Sequence, residues 1–98
     1  MLFVAQFQDD PGKLHVRKAE MDNHLRYLEE RREKILVGGS LRADPAQDPL
    51  GGLWIIEASD KREAEKLCHG DPFWTRGLRR SVTILHYSKA FPDRKTPI

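Results

Sequence analysis

Apolar residues along the chain predict four strands. Residues 2–7 are rich in Phe and Val, and residues 78–87 alternate between apolar and polar side chains, as in a strand with one buried face. Residues 51–58 form an apolar run that opens on two glycines. A further strand begins at Ile35. We expect the segment Gly38-Gly39-Ser40 to interrupt it, either as a bulge or where another segment closely approaches the backbone.

The segment from Leu14 to Lys34 has the spacing of a long amphipathic helix. Its buried side is expected to be an apolar stripe formed by Leu14, Met21, Leu25 and Leu28. Arg17 and His24 lie on the same edge of this stripe, seven residues apart. The pattern therefore places His24 beside the buried side of the helix and away from its solvent face.

A second helix is predicted between Asp60 and Gly70. Asp60 and Glu63 have the spacing of a capping box, in which each side chain accepts a hydrogen bond from the backbone amide of the other residue. Gly70 suits the position after the last helical residue, and Pro72 prevents the helix from continuing. The polar loop 42–50 contains two prolines and is expected to be mobile.

The order of these elements, β-α-β-β-α-β, is that of the ferredoxin-like fold and places the chain in the α+β class. In this fold the strands form an antiparallel sheet with both helices on one face. The strands carry apolar residues for both faces, as Phe3 and Val4 illustrate. An uncovered apolar face on so small a protein favours a partner. We therefore expect a homodimer in which two sheets pack face to face, a dimeric α/β barrel.

Composition limits the class of protein further. A chain of 98 residues is expected to form one domain over 1–98, with an irregular tail at about 90–98. Basic groups concentrate in residues 74–98, but without a basic helix or interleaved aromatic residues, so we expect no nucleic-acid partner. The apolar runs are far shorter than the roughly 20 residues that cross a membrane. One cysteine, Cys68, and the lack of a signal-peptide pattern favour a cytoplasmic protein.

Two side chains are the main candidates for chemistry. A half-buried histidine such as His24 can act as a base near neutral pH, although it can equally be a structural residue whose ring nitrogens bind the backbone. Asp71 follows the second helix and, in this fold, could approach the first one, where a carboxylate would fix the tautomer of the imidazole. Its alternative role is to bind local amides in a turn. We expect no metal, because no pair of Cys or His residues has ligand spacing.

These residues stand in a pattern that resembles the YciI-like (YCII-related) family over nearly the whole chain. The matching segments are Arg17, His24-Leu25-x-Tyr27-Leu28, Gly38-Gly39-Ser40-Leu41, Gly51-Gly52-Leu53-Trp54-Ile55-Ile56-Glu57-Ala58, Asp71-Pro72-Phe73 and Gly77-Leu78. The resemblance implies a dimeric α/β barrel with a His24–Asp71 active-site pair and Arg17 nearby. One type of member resembles a dehydrochlorinase acting on a chlorinated hydroxyquinol. Trp74 and Arg76 depart from the pattern, which bears on the size and charge of the pocket.

The sequence thus predicts a small enzyme that transfers a proton on a small hydroxylated ring or unsaturated acid, by elimination, dehydrochlorination or isomerisation, without a cofactor. His24 would act as base or acid, and Asp71 would orient it. Arg17 would hold an anionic group of the substrate, and Ser40 and Phe73 would complete the binding site. The alternative is a non-catalytic module of the same fold that binds or senses a small ligand.

Overall fold

Four antiparallel strands form one sheet, and the helices pack on one of its faces. The computed structural model of the protein describes residues 1–96 and residue 98. The strands are β1 (Leu2–Asp9), β2 (Ile35–Leu41), β3 (Gly51–Glu57) and β4 (Arg79–Tyr87), and the helices are α1 (Leu14–Glu30), α2 (Lys61–His69) and α3 (Pro72–Thr75). The strand order is β2-β3-β1-β4, with every neighbouring pair antiparallel. This arrangement confirms the predicted ferredoxin-like α+β fold.

The hydrophobic core lies between the sheet and the helices. Because side chains alternate along a strand, every second residue of β1 points at the helices, and Phe3 and Phe7 do so. Trp54 of β3 and Cys68 of α2 are fully buried in the same cluster. Burial raises the pKa of the Cys68 thiol to about 12, so this side chain stays protonated and packs as a small apolar group.

The orientation of α1 differs from the predicted one. Leu25, expected in the buried stripe, is 53% exposed, whereas the buried residues of this helix are Val16 and His24. The helix is therefore turned so that the predicted edge of the stripe faces the protein. The reason for this orientation is that His24 binds the buried side chain of Asp71, whereas Leu25 borders a cleft.

α1 also ends four residues earlier than predicted, at Glu30 and not at Lys34. The backbone amides of Lys34 and Ile35 both donate to the carbonyl oxygen of Arg31, at 2.9 and 2.8 Å. These bonds close a tight turn in place of a further helical turn. The turn is needed because Ile35 pairs with Ile56 at the start of β2.

The glycines of β2 do not interrupt the strand, which runs on to Leu41. The predicted bulge lies earlier, between Ile35 and Val37. The alternative prediction, a close approach to the backbone, is confirmed at Gly38. A Cβ atom on Gly38 would lie 3.2 Å from a methyl group of Leu28, so the missing side chain lets α1 pack against the strand.

α2 begins as predicted, because the Asp60 side chain accepts from the backbone amide of Glu63 at 2.8 Å. The other half of the capping box does not form, since the Glu63 carboxylate accepts from the Ser59 hydroxyl at 3.0 Å. Gly70 ends the helix with an ordinary φ of −86°. Glycine is required there for space, because a Cβ atom would lie 2.5 Å from the hydroxyl oxygen of Tyr27.

A short helix that the sequence does not predict, α3, lies between α2 and β4. Pro72 occupies its first turn, where the missing N–H has no helical partner to lose. The backbone carbonyl of Asp71 accepts from the amides of Trp74 and Thr75 at 2.8 and 2.9 Å. Gly77 then leaves the helix at a φ of 86°, a left-handed conformation that favours glycine. The signal that stops α2 thus also starts α3.

The face of the sheet opposite the helices carries an apolar row that crosses all four strands. Pairing places Val37, Ile55, Val4 and Leu85 side by side in this row. Leu85 is 54% exposed there. Beyond Tyr87 the described residues form no helix or strand, and Pro97, which the predicted tail also includes, lies outside them. No helix in the described part of the chain is long and apolar enough to cross a membrane.

Candidate functional site

His24 and Asp71 meet in the interior of the protein. The distance between His24 Nδ1 and Asp71 Oδ1 is 2.7 Å, and the two side chains are 9% and 0% exposed. An ionised carboxylate can only accept a hydrogen bond, so the Nδ1–H group of His24 is the donor. Nε2 of the neutral ring then has a free lone pair. The described residues offer Nε2 no hydrogen bond, and His24 borders a cleft.

The carboxylate of Asp71 binds His24 and no amide of the neighbouring turn. Asp71 precedes α3, but its side chain caps no amide of that helix. The predicted alternative, in which Asp71 binds local amides in a turn, is therefore wrong. Oδ1 serves His24, while Oδ2 is buried without a partner among the described residues. Among the described residues, His24 is therefore the one hydrogen-bond donor to this carboxylate.

Aromatic rings hold the imidazole in place. The ring of Phe73 stacks on that of His24 at a centroid distance of 3.8 Å and an angle of 8°. Trp54 lies on the sheet at 6.4 Å from the same imidazole. Phe73 is fully buried and packs with Val16 and Leu78. The ring of His24 is thus fixed by stacking as well as by its hydrogen bond to Asp71.

A second buried polar group lies beside this pair. Asp9, at the end of β1, accepts from Arg79 Nη1 at 2.9 Å through Oδ1 and from Arg17 through Oδ2. The Arg79 guanidinium lies 4.3 Å from the ring centroid of Phe7 and 5.1 Å from that of Phe73. Burial lowers the pKa of Arg79, and the hydrogen bond to Asp9 opposes this change. A guanidinium remains charged in proteins even so.

Both polar groups contribute side chains to one cleft between α1, β2 and the loop that follows β2. The His24–Asp71 pair contributes His24, and the group around Asp9 contributes Arg17 and Arg79. The cleft has a volume of about 190 Å³. The residues around it are Arg17, Met21, His24, Leu25, Leu28, Gly38, Gly39, Ser40, Arg42, Pro49 and Arg79. A base with a free lone pair, several hydrogen-bond donors and apolar side chains therefore converge on a space large enough for a single ring.

A larger groove of about 500 Å³ runs between α2 and β4. Its polar residues Lys61, Glu65 and His69 are all exposed. Charged groups that remain in water are not activated by their surroundings. The smaller cleft, which the buried side chains of His24 and Arg79 border, is therefore the candidate functional site.

Comparison with protein families finds that the sequence model of the YCII-related domain matches residues 1–88. The chain belongs to the YCII-related family. A solved structure that resembles this family member is 5-chloro-2-hydroxyhydroquinone dehydrochlorinase (TftG) from Burkholderia phenoliruptrix AC1100, in complex with 2,5-dihydroxybenzoquinone. It is 35% identical, the match covers 90% of this chain and 94% of that one, and the TM-score is 0.80.

A second solved structure shares the fold of this YCII-related protein at much lower similarity. Protein Atu4242 from Agrobacterium tumefaciens is 11% identical, with a TM-score of 0.52 and coverage of 94% of this chain and 98% of that one. Such a similarity shows the fold alone. A comparison with curated proteins finds no match.

The structure brings together most of the site residues that the sequence singles out. His24 and Asp71 are in contact, and Arg17 and Ser40 border the same cleft. Phe73 is placed differently from the prediction of a substrate-binding residue. It is fully buried behind the imidazole and is not among the residues around the cleft. Its position is that of a support for the imidazole.

Two members of the site, Asp9 and Arg79, are absent from the prediction. A signal for Asp9 exists, because it continues the alternation of buried residues in β1 beyond Phe7. A carboxylate on the buried face of a strand requires a cation or several amide donors. The sequence does not show which of the basic residues supplies that cation, and in the fold Arg79 and Arg17 both do so.

The two departures from the family pattern lie outside the cleft of the YCII-related protein. Trp74 packs against the core, and its ring lies 4.5 Å from that of His69. Arg76 is exposed, with its Nε 3.9 Å from Glu20 Oε1. Neither residue borders the cleft, so neither sets its size or its charge by direct contact.

The loop from Arg42 to Leu50 is expected to exchange its amide hydrogens rapidly. Its last residue is anchored, since Leu50 donates to Leu41 at 2.8 Å and accepts from Asp9 at 2.9 Å. Residues 43–48 are exposed and few bonds hold them, so local opening costs little. Hydrogen exchange measured by mass spectrometry should be fast over 43–49 and slow over β3. Protection of the loop equal to that of β3 would contradict this expectation.

Proposed function

We propose that this protein is an enzyme that transfers a proton on a small hydroxylated ring and thereby eliminates hydrogen chloride from it. The carrying observation is the 2.7 Å contact between His24 Nδ1 and Asp71 Oδ1, which leaves Nε2 free at the cleft. The similarity to TftG, a protein named as a dehydrochlorinase, supports the class of reaction and of substrate.

His24 and Asp71 divide the work of proton transfer between them. Nε2 takes a proton from the substrate, and the ring becomes an imidazolium that Asp71 stabilises through Nδ1–H. The elimination proceeds from a keto tautomer of the substrate, in which the carbon that carries chlorine is tetrahedral and also carries hydrogen. Nε2 takes the proton of a ring hydroxyl, and the O–H electron pair forms a C=O bond. A ring double bond then shifts to the chlorine-bearing carbon, and chloride leaves with the electron pair of the C–Cl bond. The imidazolium then returns its proton to water. One proton and one chloride ion leave, and the elimination consumes no oxidant or reductant.

The cleft also supports a preference for a small anionic substrate. A volume of about 190 Å³ accommodates one ring and excludes much larger ligands. Arg17 offers a planar set of donors that fits a phenolate or a carboxylate. The Ser40 hydroxyl accepts from Arg42 Nη2 at 3.1 Å, so its own hydrogen remains available to a substrate.

Release of chloride from 5-chloro-2-hydroxyhydroquinone tests the proposal directly. The purified protein should release one chloride ion for each molecule converted, measured with a chloride electrode alongside the change in ultraviolet absorbance. An unchanged rate relative to buffer would contradict the elimination. Binding of the ring without turnover would instead support the alternative, a ligand-binding module, and a shifted double bond without chloride release would support an isomerase.

In the same proposal the protein is a homodimer that buries the apolar row of Val37, Ile55, Val4 and Leu85. Two such rows facing each other would remove from water the apolar surface that no helix covers. Sedimentation equilibrium at micromolar concentration should give twice the chain mass of 11.3 kDa. A folded monomer would contradict the dimer.

A pair of variants locates the dimer interface. Leu85→Glu places a charge in the row at a side chain that is 54% exposed in one chain, so it should yield a folded monomer. Leu50→Glu makes the same change at a leucine that is 64% exposed outside the row. This control should remain a dimer. Equal behaviour of the two variants would place the interface elsewhere.

A further inference from the structure

The wall of the cleft contains three arginines and no carboxylate. These are Arg17, Arg42 and Arg79. Neither of the two acids that are buried in the described part of the chain, Asp9 and Asp71, borders the cleft. Each lies behind a side chain of the wall and is bonded to it. A ligand in the cleft therefore contacts hydrogen-bond donors and cationic side chains directly. The two carboxylates lie behind these side chains and do not touch it.

Two of these arginines share one counterion. Arg79 donates to Asp9 Oδ1 at 2.9 Å, and Arg17 donates to Oδ2 of the same carboxylate. The side chains of Arg79 and Asp9 are each 2% exposed, and that of Arg17 is 13% exposed. The three side chains carry two positive charges and one negative charge. Asp71, the other buried carboxylate, also stabilises the charge of Arg79 from a distance, but its hydrogen bond goes to His24. Within the described residues, Asp9 is thus the one acceptor that the two guanidiniums share, and an anion entering the cleft would supply a second one.

Arg79 has donors that the protein does not use. A guanidinium has five N–H donors in a fixed plane. Nη1 of Arg79 binds Asp9, whereas its Nε is buried and finds no acceptor among the described residues. The Nε of Arg17 is in the same situation. The protein encloses both Nε atoms, so a ligand in the cleft does not reach them. The donors left for an oxyanion are Arg79 Nη2 and Arg17 Nη1, which bind no acceptor among the described residues and belong to side chains that border the cleft.

We infer that Arg79 is a second substrate-contacting residue of the cleft and that it binds, together with Arg17, one ionised oxygen of a single-ring ligand. The identity of the ring rests on the proposed function, whereas the negative charge of the ligand follows from the two arginines alone. It adds to the sequence prediction, which assigns anion binding to Arg17 alone. It also places the anionic end of the ligand at the arginines, in the same cleft as His24.

Two probe ligands of similar shape separate charge from size. The hydroxyl groups of 2,5-dihydroxybenzoquinone are vinylogous carboxylic acids and ionise at neutral pH, whereas those of hydroquinone stay protonated. Calorimetric titration at pH 7 should show that the wild-type protein prefers the ionised ring. Arg79→Gln should weaken binding of 2,5-dihydroxybenzoquinone about 10- to 100-fold, as expected for one lost hydrogen bond between charged groups. Binding of hydroquinone should change by less than about threefold.

Arg80→Gln is the matched control, because it removes the same charge from the exposed neighbouring residue. It should leave both affinities within about twofold of wild type, since distant surface charges are screened. Arg79→Lys, which keeps the charge and loses the planar set of donors, should restore part of the lost affinity.

A further variant displaces Arg79 without removing any charge. A Cβ atom on Gly52 would lie 3.1 Å from both terminal nitrogens of Arg79 and 3.0 Å from the carbonyl oxygen of Gly39, and the side chain of Arg79 can move more easily than the strand backbone. Gly52→Ala should therefore shift the guanidinium slightly and weaken binding of the anion by a smaller factor than Arg79→Gln. This variant and Arg79→Lys keep the inference testable if Arg79→Gln does not fold.

Three results would overturn the inference. They are the absence of measurable binding of the anion to the wild-type protein, full affinity in the folded Arg79 variants, and an equal loss in Arg80→Gln. In an active enzyme, Arg79→Gln should raise KM more than it lowers kcat, because the anion is bound in ground and transition states alike. Selective anion binding through Arg79 without chloride release would disprove the elimination and leave this inference intact.

Discussion

His24→Asn should lower the rate of chloride release by about 10²–10⁴-fold, the usual contribution of one positioned acid or base. The asparagine amide nitrogen takes the position of Nδ1 and can still donate to Asp71, which the structure holds at 2.7 Å from the imidazole. The buried carboxylate therefore keeps a partner, while Nε2 is lost. Steady-state kinetics together with circular dichroism should show an inactive protein that remains folded.

Asp71→Asn tests the other half of the pair. The neutral amide nearly keeps the shape of the side chain but no longer stabilises the imidazolium, so turnover should fall by about 10²-fold or more. His15→Asn is the matched control, since His15 is an exposed histidine of the same helix. Wild-type rates in Asp71→Asn, or a comparable loss in His15→Asn, would contradict the role of the pair.

Phe73→Ala should lower the free energy of unfolding by about 3–5 kcal/mol, the range for truncating a buried phenylalanine. Phe73 is fully buried, stacks on His24 and lies 5.1 Å from the guanidiniums of both Arg17 and Arg79. Its loss would leave a cavity between the two polar groups of the site. Since small domains are stable by only about 5–15 kcal/mol, urea unfolding should detect a change of this size easily.

Phe91→Ala makes the same truncation at a residue that is 58% exposed. Its free energy of unfolding should stay within about 0.5 kcal/mol of that of the wild-type protein, as is usual for surface positions. Similar losses in the two variants would mean that Phe73 does not serve as a packed support. A stable Phe73→Ala protein with full activity would contradict its role in holding the imidazole.

The sequence predicts the fold well because its signals are local and mutually consistent. Alternating apolar residues, the cap at Asp60 and the glycines that follow loop 42–50 place every strand within a few residues of its observed bounds. The orientation of helix α1 is a feature that such local signals do not predict. Its stripe predicts that Leu25 is buried, but a helical wheel contains no information on which polar residue has a partner in the interior. The hydrogen bond of His24 to Asp71 decides the orientation instead.

The candidate site is predicted only in part, for a related reason. The contact between His24 and Asp71 joins residues that are 47 positions apart, and the family pattern together with the fold made it a hypothesis. The contact between Asp9 and Arg79 spans 70 positions. No pattern in the sequence links these two residues. The sequence predicts that Phe73 contacts the substrate, and its packing in α3 instead places it against the imidazole.

A crystal structure of the protein with 2,5-dihydroxybenzoquinone is the most direct test of the claim that the His24–Asp71 pair acts on a ring in this cleft. We expect the ring in the cleft, with one ligand oxygen at hydrogen-bond distance from Nε2, about 2.6–3.2 Å, and with Asp71 still bound to Nδ1. A ring bound in the groove between α2 and β4, or an Nε2 atom that contacts protein groups alone, would contradict it.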